Sequence, residues 1–319
     1  MSMKIHLPNS AFLGNIDPFL KGFDPSSPQT LEITANEHWL SLHPLVLAMT
    51  AALGVAVDPQ RITFATPSAR SAHYLVRMGL FKLLNLPCKI RIQEHAPEGR
   101  FIPLTPIHTS DELTRFMTEM IPLLHQEHEQ AKTISHIISK LVRNVIEHAQ
   151  SARGAMVCAQ YYRKTNRIAI GIADTGVGLK ATINRAHHAD TDLEAIRLAL
   201  WPGITGTTRR PGGTEQNAGA GLFIIRSIAD VNQDFFVMYS GNGFYKLLKK
   251  RAPKLSVKAD PFAERHTKNG EVPYWQGTAV GVDISLDHTR EFSVLLRAIG
   301  KVYSSLKKNN RPRRKPRFL

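Results

Sequence analysis

From Ile134 onward the apolar positions fall at Ile134, Ile137, Ile138, Leu141, Val142, Val145 and Ile146, in steps of three and one. On a helix of 3.6 residues per turn these form one stripe, so a long amphipathic helix is expected there. Downstream the period shortens to two. Ala155–Tyr162 and Arg167–Ala173 read as strands joined by the polar run Arg163-Lys164-Thr165-Asn166, hence as an antiparallel hairpin. Residues 222–231 read as a helix, and 235–240 and 278–285 as further strands, separated by a basic, irregular insertion at 250–276. A last amphipathic helix is expected at 289–306. Upstream the pattern alternates. Strands are expected at 31–34 and 61–65, an apolar helix at 44–53, a second helix at 68–84 capped by Ser68 or Ser71, and a third strand at 88–93. Residues 95–106, with three prolines and Gly99, read as a linker or surface loop. Strands that pair as hairpins under helices on one face predict an α+β two-layer sandwich rather than a doubly wound sheet.

Composition narrows the class. A hydrophobic fraction of 43% and a charged fraction of 21% belong to an ordinary globular protein. The longest apolar run, residues 44–57, falls short of the roughly 20 residues a bilayer span needs, and the first residues lack the pattern of a secretion signal. No membrane association is expected. Cys88 and Cys158, the only two cysteines, argue against a disulfide framework or a cysteine zinc site and for a reducing, cytoplasmic setting. The formal net charge is +15, and Lys307, Lys308, Arg311, Arg313, Arg314, Lys315 and Arg317 crowd the end of the chain. Such a field attracts polyanions, nucleic acid among them. An unstructured solubilising tail accounts for the same residues. The pairs His125/His128 and His187/His188 lack a third ligand at metal-binding spacing and read as surface histidines.

Four pieces along the chain carry chemistry. Asn144, on the border of the long helix's apolar stripe, has a carbonyl oxygen suited to a hard cation such as Mg²⁺, and His148 lies one turn on. A solvated border asparagine is the plainer reading of Asn144 alone. Asp174-Thr175-Gly176-Val177-Gly178 ends the strand of Ile168, Ile170 and Ile172, and period two puts Asp174 on their helix-facing side. A carboxylate delivered there needs a donor, which the amino group of adenine can supply. Gly203-Ile204-Thr205-Gly206-Thr207-Thr208 opens a Gly/Thr/Arg-rich stretch that ends in Asn217-Ala218-Gly219-Ala220-Gly221-Leu222 before a helix. Free N–H groups at that helix start suit phosphate oxygens, and the stretch between can close as a lid. Gly277-Thr278 opens a late strand from which a hydroxyl can reach the same place. A dinucleotide fold using Gly219 and Gly221 would need an early strand just before them, and a glycine-rich loop stands there instead.

In this order the pieces resemble the signature of the GHKL superfamily of gyrases, heat-shock chaperones, histidine kinases and mismatch-repair ATPases. The resemblance implies a Bergerat-type α/β sandwich binding ATP and Mg²⁺. Asn144 would hold the cation and Asp174 would read adenine. Gly176, Gly178, Gly219 and Gly221 would frame the nucleotide, with His148, Thr207, Leu222 and Thr278 beside it. The run from Asn144 to His148 is similar to the helix of the bacterial anti-sigma-factor and serine-kinase branch. Residues 73–81 (His73 to Phe81) look like part of the STAS-like module that precedes such ATPases. The division implied is a STAS-like α/β domain over 1–110, a GHKL-type domain over 111–288, and a helix with a basic tail over 289–319. One departure matters: Lys140 stands one turn before Asn144, where the branch has a glutamate, and a charged lysine accepts no proton. The expectation is therefore a nucleotide-gated regulator whose lid switches a surface for a regulatory protein partner or a homodimer. The alternative is an active serine/threonine protein kinase or slow ATPase. Paired phosphoacceptor helices of a sensor histidine kinase find no room at 115–133.

Overall fold

A computed structural model of the chain describes residues 3–25, 29–90, 100–119, 128–206, 221–249 and 258–286, together with 297–305 apart from 298 and 302. The protein is of mixed α+β build, organised around a seven-stranded sheet and a smaller four-stranded one.

The chain starts in the small sheet with β1 (Met3–Leu7), whose Met3, Ile5 and Leu7 point inward while Lys4 and His6 face out. β2 (Ser10–Ala11), α1 (Asp17–Lys21), β3 (Phe23–Asp24), β4 (Leu31–Ala35) and β5 (Ser41–Leu42) follow, then α2 (Pro44–Gly54) and β6 (Ile62–Phe64). The sheet order is β3-β1-β4-β6, with β1–β4 and β4–β6 parallel and β1–β3 antiparallel; β2 and β5 make a separate parallel pair. The helix expected at 68–84 is broken into α3 (His73–Arg77) and α4 (Leu80–Leu83), because Gly79 between them takes φ +80°. Neither expected cap forms: Ser68 donates to the Glu37 carbonyl, and Ser71 accepts from the Leu40 N–H. Residues 88–90, expected to open a strand, are not in one, and 91–93 lie outside the described residues.

The large sheet runs β12-β11-β10-β13-β9-β8-β7, every neighbouring pair antiparallel. Its strands are β7 (Phe101–Ile107), β8 (Ala155–Tyr162), β9 (Arg167–Ala173), β10 (Phe236–Gly241), β11 (Gly243–Leu247), β12 (His266–Asn269) and β13 (Trp275–Ser285). The hairpin β8–β9 matches the sequence expectation. Phe101–Ile107 corrects it: residues read as linker form an edge strand of this sheet. Proline lacks a ladder donor, and an edge is where Pro103 and Pro106 can sit. Part of the insertion read as irregular, His266–Asn269, is likewise the opposite edge strand.

Helices α5 (Ser110–Glu119), α6 (His128–Asn144), α7 (Gly178–Ile183), α8 (Asp192–Ala199) and α9 (Gly221–Val231) complete the chain's main elements. The stripe Ile134 to Val145 of α6 packs with α9 on Val157, Ile168, Ile170, Ile172, Met238, Val280 and Val282. Each such side chain removed from water contributes roughly 1.5–3 kcal/mol. The opposite face, with Met156, Cys158, Ala173, Val237, Tyr239 and Ala279, is covered by α2 and its neighbours. Three layers result where two were expected. All of α2 is buried, and it meets the sheet so closely that a β-carbon on Gly171 would strike the backbone of Pro44 and Leu45. His43 starts the helix: its Nδ1 accepts from Leu45 N–H at 3.0 Å, and its Nε2 lies 3.3 Å from Asp283 of β13.

Candidate functional site

A cavity of about 310 Å³ lies between α6, α9, α7 and the helix-covered face of the sheet. Its floor follows from strand register. Ile172 pairs with Val280, and Val280 with Met238, so three apolar side chains stand in a row across β9, β13 and β10. Leu179, Ile183, Ile204 and Leu222 add apolar wall. A cavity of this size, apolar on its floor and polar along its rim, falls at the lower end of what small-molecule sites use.

Asp174 comes off the end of β9 into this slot. It is 1% exposed, its N–H bonds to the Thr278 carbonyl at 2.9 Å, and its Oδ1 accepts from Gly176 N–H at 2.8 Å. Oδ2 is buried and makes no hydrogen bond of full geometry to the described residues. Burial pushes the carboxyl up to about 7, against the pull of the two backbone hydrogen bonds at Gly176 and Thr278. The Gly176 and Thr278 backbone thus stabilises the carboxylate in part, while Oδ2 makes no hydrogen bond of full geometry to the described residues.

The loop is held in place by three contacts that need glycine or a hydroxyl. Val177 N–H donates to the Ala149 carbonyl at 2.8 Å, bringing Gly176 so close that a β-carbon would collide with that carbonyl. Gly277, at φ +100°, would likewise collide with the Asp174 carbonyl. Ser240 Oγ accepts from Leu179 N–H at 2.9 Å and donates to Gly277 O at 2.7 Å, tying α7 to the sheet. Gln276 donates its side-chain amide to the Gly176 carbonyl.

The opposite rim comes from α6. The helix ends at Asn144 and continues as a π turn, Val145–Ala149. Such turns recur at functional sites. Lys140, Arg143, Asn144, Glu147 and His148 all line the cavity from this element. His148 Nε2 and Glu147 Oε2 are 3.8 Å apart. Lys140 is exposed and lies along the start of α9, its Cδ 3.7 Å from where a Gly221 β-carbon would be. Neither Lys140 nor Arg143 has an ion pair among the described residues, so two cations stand on the rim near the start of α9.

Asn144, His148, Asp174, Gly178, Gly221, Leu222 and Thr278 therefore meet around one cavity. Gly176 shapes the loop without lining it. Thr207 and Gly219 lie outside the described residues. No family model matches this chain, and no curated protein is similar to it in sequence. Several lining residues were not singled out by sequence. Arg143 shares the helix face of Asn144, Glu147 and His148, and the i, i+3, i+4 spacing was there to find it. Thr182, bonded to the Gly178 carbonyl at 2.9 Å, carried no such signal, whereas Thr205, whose carbonyl meets His187 Nε2 at 3.1 Å, belongs to the Gly/Thr-rich stretch read from sequence. Among the described residues no group of three or more histidine, cysteine or carboxylate side chains is placed to hold a metal ion. No helix among them is long and apolar enough to cross a membrane.

Proposed function

We propose that the chain is an ATP–Mg²⁺-binding regulatory protein of the GHKL type, with a Bergerat-type nucleotide unit preceded by a STAS-like module. The observation that carries this reading is the buried Oδ2 of Asp174, without a full hydrogen bond among the described residues, at the apolar end of the cavity. A buried, half-satisfied carboxylate asks for a ligand with a hydrogen-bond donor on a flat apolar body, and the amino edge of adenine has that form. The phosphates would then run toward Lys140, Arg143 and the start of α9. Asn144 supplies one neutral oxygen, which fits a magnesium ion that takes its remaining ligands from phosphates and water. When bound, that cation would neutralise phosphate charge. The parallel strands β1, β4 and β6 under short helices support the STAS-like assignment of the first part.

As a regulator, the protein would order its lid, residues 203–218, over the phosphates and so alter a surface for a protein partner or a second copy of itself. Of the lid only 203–206 are described, and they already line or flank the cavity. The basic tail remains the candidate contact for nucleic acid and lies outside the described residues. One observation favours the second reading, a protein kinase or slow ATPase: Glu147, paired with His148, reaches the same cavity and is a carboxylate able to take a proton.

Calorimetric titration with ATP and Mg²⁺ tests the proposal. Binding should be lost in Asp174→Asn and should lose its Mg²⁺ dependence in Asn144→Ala. Unchanged binding in both would end it. Phosphate release measured on the same samples, with Glu147→Gln as control, decides between switch and enzyme.

A further inference from the structure

We infer that the protein carries a second ligand site, for a small organic dianion, at the junction between its small-sheet part and the edge of its large sheet. A separate cavity of about 200 Å³ lies there, bounded by β5 and α3 on one side and by the start of β7 and the end of β8 on the other. It is far larger than an ordered water requires. Arg77, the last residue of α3, and Arg100, just before β7, both line it. Neither guanidinium has an ion pair or a side-chain hydrogen bond among the described residues.

Exposed arginines alone are normally just solvated. What distinguishes this place is Tyr74, which lines the same cavity and whose hydroxyl is shut off from water, makes no hydrogen bond of full geometry to the described residues and interacts with the neighbouring Tyr162 phenol. Buried hydroxyls are rarely left so. The Tyr162 phenol stands beside it, and burial pushes the pKa of both phenols up, so each stays an O–H donor rather than an anion. Among the described residues the lining thus offers two cations, the hydroxyls of Tyr74, Tyr162 and Ser41, and no carboxylate. The nearest acid felt by Tyr162 is Asp283, which already faces His43 at 3.3 Å. Two forked guanidiniums match an oxyanion pair. Leu42 and Phe101 give the cavity an apolar wall, which calls for a carbon body as well.

Phosphate monoesters and dicarboxylates share this chemistry. Such a ligand would join Arg77 of the small-sheet part to Arg100 of the large sheet and clamp the two together. This site does not depend on the nucleotide reading.

Calorimetry on the full chain, with phenyl phosphate, phthalate, phenol and inorganic phosphate as probes, tests the inference. One of the two organic dianions should bind, and which one identifies the class. Phenol should not. The double variant Arg77→Gln/Arg100→Gln should weaken binding at least about tenfold, the scale of one lost charge-assisted hydrogen bond. Tyr74→Phe should weaken it less, with both variants retaining the parent's unfolding temperature within a few degrees. Lys180→Met, outside this cavity, should leave the dianion affinity unchanged, and Lys140→Met should weaken nucleotide binding alone. No binding of either dianion, binding indifferent to the double arginine variant, dianion binding lost in Lys180→Met or Lys140→Met, or equal binding of inorganic phosphate (an adventitious ion only) would each overturn it.

Discussion

Asp174 is the residue on which the chemistry turns, and its protonation is measurable without any ligand. Its carboxyl sits at about 7 when folded, against 3.8 for an ordinary aspartate, because the charged form has lost its water. A raised folded value means that the folded state holds the proton more tightly than the unfolded one. Its stabilising contribution is therefore complete below about pH 4 and is lost as pH rises through 7. At about 1.4 kcal/mol per unit, the loss amounts to roughly 4 kcal/mol. Asp174→Asn keeps an acceptor for Gly176 N–H and has nothing to ionise. In denaturant titrations without ligand, the variant should match the parent near pH 4 and exceed it at pH 8. Asp234, also raised to about 7 by burial, follows the same trend in both proteins and cancels in the difference. Equal stability of the two at pH 8 would mean that Asp174 is better solvated than its burial implies. Nucleotide affinity should run the other way. An amino donor needs the ionised, accepting carboxylate, so binding should tighten as pH rises toward 7 and level off above it.

The elements show how that residue is held, and why part of the arrangement was legible beforehand. The run from Ile134 to Ile146 and the alternation of Ile168, Ile170 and Ile172 announce their partners, because each buries one face against the other. Asp174 and Asn144 could be placed on those faces by period alone. The elements that were missed lack such a face or contradict it. β7 contains two prolines, and β11 is buried at every position, so neither shows an alternation. The two-residue connection Gly241-Asn242 between β10 and β11 was the hairpin signal available and unused. Nothing in the sequence could show that the π turn Val145–Ala149 would receive the Asp174 loop, since that contact is between backbones. It depends on Gly176. Gly176→Ala places a methyl against the Ala149 carbonyl and must push the loop off the helix end. The cost should be about 1–3 kcal/mol of stability, with a larger proportional loss of nucleotide binding than Gly221→Ala, where a β-carbon meets only the flexible Lys140 side chain. Calorimetric binding and thermal unfolding of the two variants decide it; equal effects would separate the loop's geometry from the site.

At the scale of the whole molecule, the question is whether the first hundred residues are a neighbour of the large sheet or a layer of it. Several observations make them a layer. The α2 backbone touches Gly171, three residues before Asp174, and His43 faces Asp283 on β13, the strand that contains Gly277 and Thr278. Lys246 of β11 is buried against Asp17 of α1 at 2.9 Å. Met156, Cys158, Val237, Tyr239 and Trp275 are covered by the N-terminal part. A fragment of residues 100–286, the natural cut if the nucleotide unit were independent, would expose that entire apolar face. Monomeric proteins seldom expose continuous apolar patches beyond a few hundred Å². The fragment should therefore associate, bind hydrophobic dyes and lose the sharp unfolding transition of the full chain. A monomeric fragment that unfolds cooperatively and binds ATP as the full chain does would refute the layered view. If the fragment fails as expected, a signal arriving at the N-terminal part has a short physical route to the site. Any shift of α2 bears directly on β9 and β13, which carry Asp174 and Thr278, because no side chain intervenes at Gly171 to absorb it.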